Sequence, residues 1–207
     1  MNETAARVFI VDDDAPVRCA LARLLRANGY HVEAIESPES LLQRTDLTKT
    51  PACVVLDLQM PGLTGLEVQS KLNQLLPIIF LTGHGDVGSC ADAMKAGAVD
   101  FLVKPVCESL VLAAIERALT RARAECAKRQ QRTEIEERVN HLTRREREVM
   151  ALVLTGRLNK QVASELGAAE KTIKIHRARV MEKMKARSIV ELVRLAEKGG
   201  VHAADDD

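Results

Sequence analysis

Along the first half of the chain, short apolar runs alternate with stretches whose hydrophobic residues recur every three or four positions. Residues 7–12 (RVFIVD) form an apolar run closed by an acid, the pattern of a buried strand. Over 15–28, Val17, Leu21, Leu24 and Leu25 share one helical face, and Gly29 supplies a stop. The alternation then repeats, predicting strands at 31–35, 52–57, 77–82 and 99–103 and helices at 38–45, 65–74 and 86–96. Apolar strands separated by amphipathic helices predict a parallel sheet covered on both faces. Five such units fit a doubly wound α/β fold of strand order 2-1-3-4-5, whose ligand site lies at the carboxyl ends of the strands.

After Pro105 the pattern changes. Leu110, Ala113, Ala114, Arg117 and Ala118 continue a helix, and 121–138 stays helix-prone but largely polar, with no Gly or Pro to break it. The last helix of the α/β part is therefore expected to extend into a long linker helix, solvated along much of its length. Ile135, Val139 and Leu142 fall at i, i+4 and i+7, which favours contact with the C-terminal part over a coiled-coil seam of three positions. From Leu142 onward the chain predicts four short helices. Thr143 caps the first, with Glu146 completing a capping box, and Gly156 ends it. Residues 160–166 form the second, Gly167 the turn, 170–184 the third, and 188–198 the fourth, closed by Gly199-Gly200. The domains expected are 1–122, a helical linker at 123–140, a small all-α domain at 141–200 and an acidic tail at 201–207.

Charge sharpens this division. Residues 1–124 hold 12 Lys/Arg against 15 Asp/Glu, whereas 141–199 hold 14 against 7, a local net of +7 inside a chain of net +1. Only the back half is suited to a polyanion. With no Trp and 2% aromatics, a stacking platform for single-stranded nucleic acid is not expected. The five cysteines are scattered and never spaced C-x-x-C, as expected of reduced thiols. No apolar leader opens the chain and no segment approaches the ~18–20 apolar residues of a membrane span, so a soluble cytoplasmic protein is expected.

The chemistry gathers where the strands end. Asp12, Asp13 and Asp14 close the first strand and Asp57 the third, which are neighbours in a doubly wound sheet. Thr82 ends the fourth strand, and Lys104, followed by Pro105, the fifth. Any one such Asp is often a turn or cap residue, but five polar residues from four strands converge on one edge. Crowded carboxylates repel unless a cation compensates, and a hard divalent ion such as Mg²⁺ (or Mn²⁺) suits oxygen ligands. With Lys104 and Thr82 nearby, the set describes a site for a phosphoryl group on an aspartate, with Asp57 as nucleophile. A magnesium-dependent phosphohydrolase would use the same ingredients.

The motifs VDDD at 11–14, DLQMPG at 57–62, LTGHGD at 81–86 and AMKAGAVDFLVKP at 93–105 closely resemble the flavodoxin-like receiver domains of two-component response regulators, in particular the FixJ-like branch. The resemblance covers nearly all of 5–120. It implies that Asp57 accepts phosphate from a sensor histidine kinase, and that Asp12 and Asp13 form the acid pair. Asp13, Asp57 and the backbone carbonyl of Gln59 would hold Mg²⁺, with Asp12 acting indirectly. Thr82 would bond the phosphoryl oxygen, Lys104 neutralise it, and Phe101 pack inward when Thr82 moves. Asp14 matches no ligand position and is expected to cap the following helix. His84, in the loop beside the site, is expected to tune phosphoryl lifetime. The connection before Pro77 is about three residues shorter than the family pattern, and Gly88-Ser89-Cys90 gives the fourth helix a weak start.

In the C-terminal part, Lys171, Lys174, Arg177, Arg179, Lys183, Lys185 and Arg187 crowd one helix and its exit, while Ile173, Val180 and Met184 form a buried stripe. A basic amphipathic helix can be a solvated face or a membrane-surface element, but a preceding helix and a Gly turn are how a recognition helix is presented to the major groove. Residues 142–196 resemble the LuxR-type helix-turn-helix domain at Arg145, Glu146, Gly156, Asn159, Lys160, Ala163, Leu166, Thr172, Lys174, His176, Arg177 and Lys183. The resemblance implies that Lys174 and Ile175 face base edges. Ala178, one turn later, is small, so Arg177 or Arg179 must supply further polar reading. Lys160, Thr172 and Lys183 would contact phosphates. Ser is common in the family where this chain has Ala169, so a helix cap or a phosphate contact is expected to be missing.

Together the resemblances imply a bacterial transcriptional response regulator rather than an enzyme with turnover beyond its own phosphotransfer and dephosphorylation. Phosphorylation would convert a monomer to a homodimer that binds promoter double-stranded DNA and, with RNA polymerase as partner, activates transcription. No membrane role is expected.

Overall fold

The structure is a computed structural model that describes residues 6–83 and 87–200. The chain divides into two compact units between Cys126 and Ala127.

The first unit is a five-stranded parallel sheet of order β2-β1-β3-β4-β5. Its strands are β1 (Arg7–Val11), β2 (His31–Ile35), β3 (Ala52–Asp57), β4 (Ile78–Thr82) and β5 (Asp100–Val103). The helices between them are α1 (Ala15–Ala27), α2 (Pro38–Leu42), α3 (Gly65–Leu72) and α4 (Val87–Lys95). Central strands β3 and β4 are buried at every position. Alternate side chains enter two separate cores. Phe9, Val11, Val54, Leu56 and Phe80 pack on one face, and Val8, Ile10, Cys53, Val55, Ile79 and Leu81 on the other. This is the two-faced burial expected of continuous apolar runs joined by helical crossovers.

Helix α1 begins where Asp14 accepts from the Val17 amide, the cap expected of that residue. Two helices are shorter than their periodicity predicts. Helix α2, expected over 38–45, stops at Leu42, and beyond it Arg44 pairs with Asp46 and Glu33. Helix α3, expected over 65–74, stops at Leu72 because Asn73 and Gln74 both turn left-handed, at φ 43° and 61°. Two successive left-handed residues reverse the chain within a few positions, which is how the short connection to Pro77 closes. The predicted start of α4 at Asp86, and His84 before it, lie outside the described residues.

Helix α5 (Glu108–Asn140) is a single element of 33 residues. Its early residues Val111, Ala114, Ile115, Ala118 and Leu119 complete the second core of the sheet. From 127 to 134 every side chain is exposed except the half-buried Arg129.

The second unit contains α6 (Arg144–Leu154), α7 (Asn159–Glu165), α8 (Glu170–Lys183) and α9 (Ile189–Lys198). Their core includes Val149, Val153, Val162, Ile173, Val180, Met184 and Leu192, and Ile135 and Val139 from the end of α5 join it with Leu142 just beyond that helix. The expected capping box of Thr143 and Glu146 is present, and Ala169 opens α8 without a side-chain cap. The acidic tail at 201–207 lies outside the described residues. Among the described residues no helix is long and apolar enough to cross a membrane.

Candidate functional site

Parallel topology sets the carboxyl ends of β1, β3, β4 and β5 side by side, and the polar residues that close these strands meet there. Asp12 is 1% exposed, Asp57 7% and Thr82 fully buried, while Asp13 faces solvent. Lys104 bridges the two buried acids. Its Nζ donates to Asp12 Oδ2 at 2.7 Å and to Asp57 Oδ2 at 2.9 Å. Its backbone N–H donates to the Thr82 carbonyl at 2.7 Å, which aligns the ends of β4 and β5. The remaining carboxylate oxygens are held by the following turns: the Asp14 amide donates to Asp12 Oδ1 at 2.9 Å and the Gln59 amide to Asp57 Oδ1 at 3.3 Å. Burial pushes the Lys104 ammonium down, but the hydrogen bonds to Asp12 and Asp57 more than reverse it, so its pKa ends above the ordinary lysine value.

One oxygen each from Asp12, Asp13 and Asp57 can be chosen so that all lie within 4.8 Å of one another. Two buried acids and one exposed acid make a set of hard oxygen donors open to water on one side. That fits Mg²⁺, which takes few protein carboxylates and keeps several waters. The structure brings Gln59 over Asp57 through its amide. Phe101 is half-buried with its ring 6.3 Å from that of Phe80, against the core below the site.

Gly65 carries a role its sequence position did not reveal. A Cβ there would stand 2.7 Å from the Asp57 carbonyl oxygen and 2.8 Å from the Phe80 ring. Only a residue without a side chain lets α3 start directly against the backbone of Asp57, and the Gly65 amide donates to the Leu58 carbonyl at 2.9 Å.

The basic surface of the second unit is built on α8. Ile173, Val180 and Met184 are buried as expected, and Lys160, Thr172, Lys174, Ile175, Ala178 and Arg179 are exposed. Lys174 pairs with Glu170 one turn earlier at 3.2 Å. Two of the residues expected to contact nucleic acid also bond within the fold. Lys183 Nζ donates to Glu146 Oε2 at 2.7 Å and to the His141 carbonyl at 3.2 Å. Arg177 Nη1 donates to Asn159 Oδ1 at 2.9 Å. Glu146 is 2% exposed, and the Lys183 ammonium with the Thr143 amide lowers its pKa to about 2. One carboxylate thus caps α6 and ties it to the end of α8.

Comparison with known proteins places both surfaces in matched segments. Residues 8–116 match the response regulator receiver domain, and residues 140–196 match the luxR family of bacterial regulatory proteins. Nodulation protein W of Bradyrhizobium diazoefficiens is 44% identical, over 97% of this chain and 89% of its own length. Transcriptional regulatory protein FixJ of Rhizobium meliloti is 42% identical, over 93% of this chain and 96% of its own. The low-resolution structure of response regulator StyR superposes with a TM-score of 0.79 at 41% identity, covering 94% of this chain and all of that one. With the acid–lysine cluster inside one match and the basic helix inside the other, the chain belongs to the response regulators that join a receiver domain to a LuxR-type DNA-binding domain.

Proposed function

We propose that a sensor histidine kinase phosphorylates Asp57 and that the phosphorylated chain dimerises and binds promoter DNA. The observation that carries this reading is the Lys104 bridge between Asp12 and Asp57, a fixed cation beside a buried carboxylate that ends a strand. An Asp57 oxygen attacks the phosphorus of a phosphohistidine; the P–N bond breaks as the P–O bond forms, and the imidazole leaves. Lys104 then exchanges its contact with Asp57 for the incoming phosphoryl oxygens, and Thr82 donates its hydroxyl to another. Asp13, Asp57 and the Gln59 carbonyl would hold Mg²⁺, with Asp12 assisting, and the bound ion would supply charge neutralisation for the transferring group. Turnover is confined to this transfer and to the later hydrolysis of the same bond.

Phosphorylation adds about 1.5–2 negative charges beside Thr82, which ends β4, and Lys104, which follows the last residue of β5. Movement of Thr82 toward the phosphoryl group opens space into which Phe101 packs. Met94 on α4 and Val103 on β5, 44% and 52% exposed, supply apolar area for a homodimer on this face. The dimer presents two copies of α8 to paired half-sites, where Lys160 and Thr172 hold phosphates and Lys174, Ile175 and Ala178 border base edges. Domain limits at 1–122, 123–140 and 141–200, a cytoplasmic location and activation through RNA polymerase complete the reading. Sedimentation and DNA footprinting with and without acetyl phosphate and Mg²⁺ test it. The wild-type chain gains dimer and footprint with the phosphodonor. An Asp57→Asn chain that responds equally would overturn the proposal.

A further inference from the structure

Arg177 and Arg179 are two positions apart and stand on opposite sides of α8. Arg177 follows buried Ile173 by four residues and precedes buried Val180 by three, so the three share the covered face. Its bond to Asn159, the first residue of α7, carries the guanidinium across to the preceding helix. Arg179 instead follows Ile175 by four residues, and Ile175 is 47% exposed. Lys171 and Ala178, four before and three after Ile175, complete this outward strip, and both are exposed. Among the described residues the Arg179 side chain makes no hydrogen bond or ion pair, whereas Lys174 is already tied to Glu170.

We propose that the two arginines divide the recognition task. Arg177 is a positioning residue that fixes α8 to α7 through Asn159, and Arg179 selects a guanine in the operator while Ile175 meets a thymine methyl nearby. This rests on α8 being the DNA-reading helix. The chemistry follows from the side chains. A guanidinium fork matches O6 and N7 of guanine in the major groove, and an apolar side chain beside it distinguishes thymine by its methyl group. Ala178, between the two on the same strip, is too short to compete for the base edges. For Arg177 to read a base it would have to leave Asn159 and cross from the covered face. Four residues separate Ile175 from Arg179, about 6 Å along the helix. At about 3.4 Å per base step, the two bases should lie roughly two steps apart.

The test is selection from a randomised duplex pool by the full chain with acetyl phosphate and Mg²⁺, repeated for Arg179→Gln, Arg177→Lys and Asn159→Ala. The wild type is expected to select a guanine about two steps from a thymine. Arg179→Gln should lose the guanine preference by roughly ten- to a hundredfold and shift toward adenine, which a glutamine amide matches. Arg177→Lys and Asn159→Ala should keep the selected motif and weaken binding to all sequences alike, with no added loss when combined. Should Arg177→Lys fail to fold, Asn159→Ala tests the brace alone. Loss of the guanine in Arg177→Lys but not in Arg179→Gln overturns the division while leaving DNA reading by α8 intact. A wild-type chain that selects no sequence removes the DNA reading itself, and the division with it.

Discussion

Asp12 and Asp57 are buried acids held apart from mutual repulsion by one ammonium, an arrangement that leaves one more favourable charge to be added. Mg²⁺ is therefore expected to stabilise the native chain, by about 1.4 kcal/mol at ten times its dissociation constant. Thermal melts of the first unit's transition with and without MgCl₂ check this, and Asp13→Asn or Asp57→Asn should abolish the increment. In the second unit, Glu146 has a folded-state pKa near 2 against an ordinary value near 4.5. A depressed carboxylate pKa contributes stability that is present above the unfolded value and lost as pH falls through the folded one. The second unit should therefore lose stability between about pH 4.5 and 2, and Glu146→Gln should flatten that part of its acid profile. Lys183→Met should cost roughly 3 kcal/mol at neutral pH, because it leaves a buried carboxylate with its main partner gone. The acids, Thr82 and Lys104 could be found in the sequence because each ends a strand whose apolar run is visible. Gly65 and the Asn159–Arg177 bond could not, since nothing local marks a glycine that faces another strand's backbone or an amide that meets a residue eighteen positions away.

At the level of elements, the strands are read well because a two-faced sheet needs uninterrupted apolar runs, and runs have visible ends. The predicted spans of α2 and α3 overrun the helices' true limits because periodicity continues into residues that the fold uses otherwise. Gln43 and Arg44 serve a turn and an ion cluster with Asp46 and Glu33, and Asn73 and Gln74 serve a left-handed reversal. The C-terminal end of α4 shows what such details accomplish. Buried Gln69 on α3 donates to the Ala93 carbonyl at 3.1 Å, and Arg121 on α5 donates to the Gly97 carbonyl at 3.0 Å. Carbonyls at a helix C-terminus lack intrahelical partners, and a cation there also favours the helix dipole. The end of α4 is thereby pinned from two neighbouring helices, which leaves its Gly88-Ser89 start as the end with weaker helix propensity. Arg121→Ala should cost about 1 kcal/mol, the worth of one such bond. Hydrogen exchange should place the resulting loss of protection in the last turn of α4 and in Gly97–Ala98 rather than across the sheet. Uniformly faster exchange in β3 and β4 would show that Arg121 supports the whole core instead.

For the molecule as a whole, the sequence shows two chemistries of opposite charge and one polar helix between them, and α5 bears that out as a single element of 33 residues. Cys126 is its last side chain buried in the first unit's span and Ile135 the first in the second core, with exposed or half-buried positions from 127 to 134. A substitution in that interval touches neither core, so it can separate the stability of each unit from communication between them. Gln130→Pro removes a helical hydrogen bond and clashes with the preceding turn, a local cost of about 3 kcal/mol. Because the break falls on solvated helix, both units should keep their melting transitions, and acetyl phosphate should still phosphorylate Asp57. If α5 transmits the signal as a continuous rod, the phosphodonor-dependent gain in promoter affinity should collapse while phosphorylation and basal DNA binding persist. If the gain survives the break intact, dimerisation of the receiver alone is enough to bring two DNA-binding units together, and the length of unbroken helix serves only as a tether. Titrating promoter DNA with the wild-type and Gln130→Pro chains, each with and without phosphodonor, separates the two.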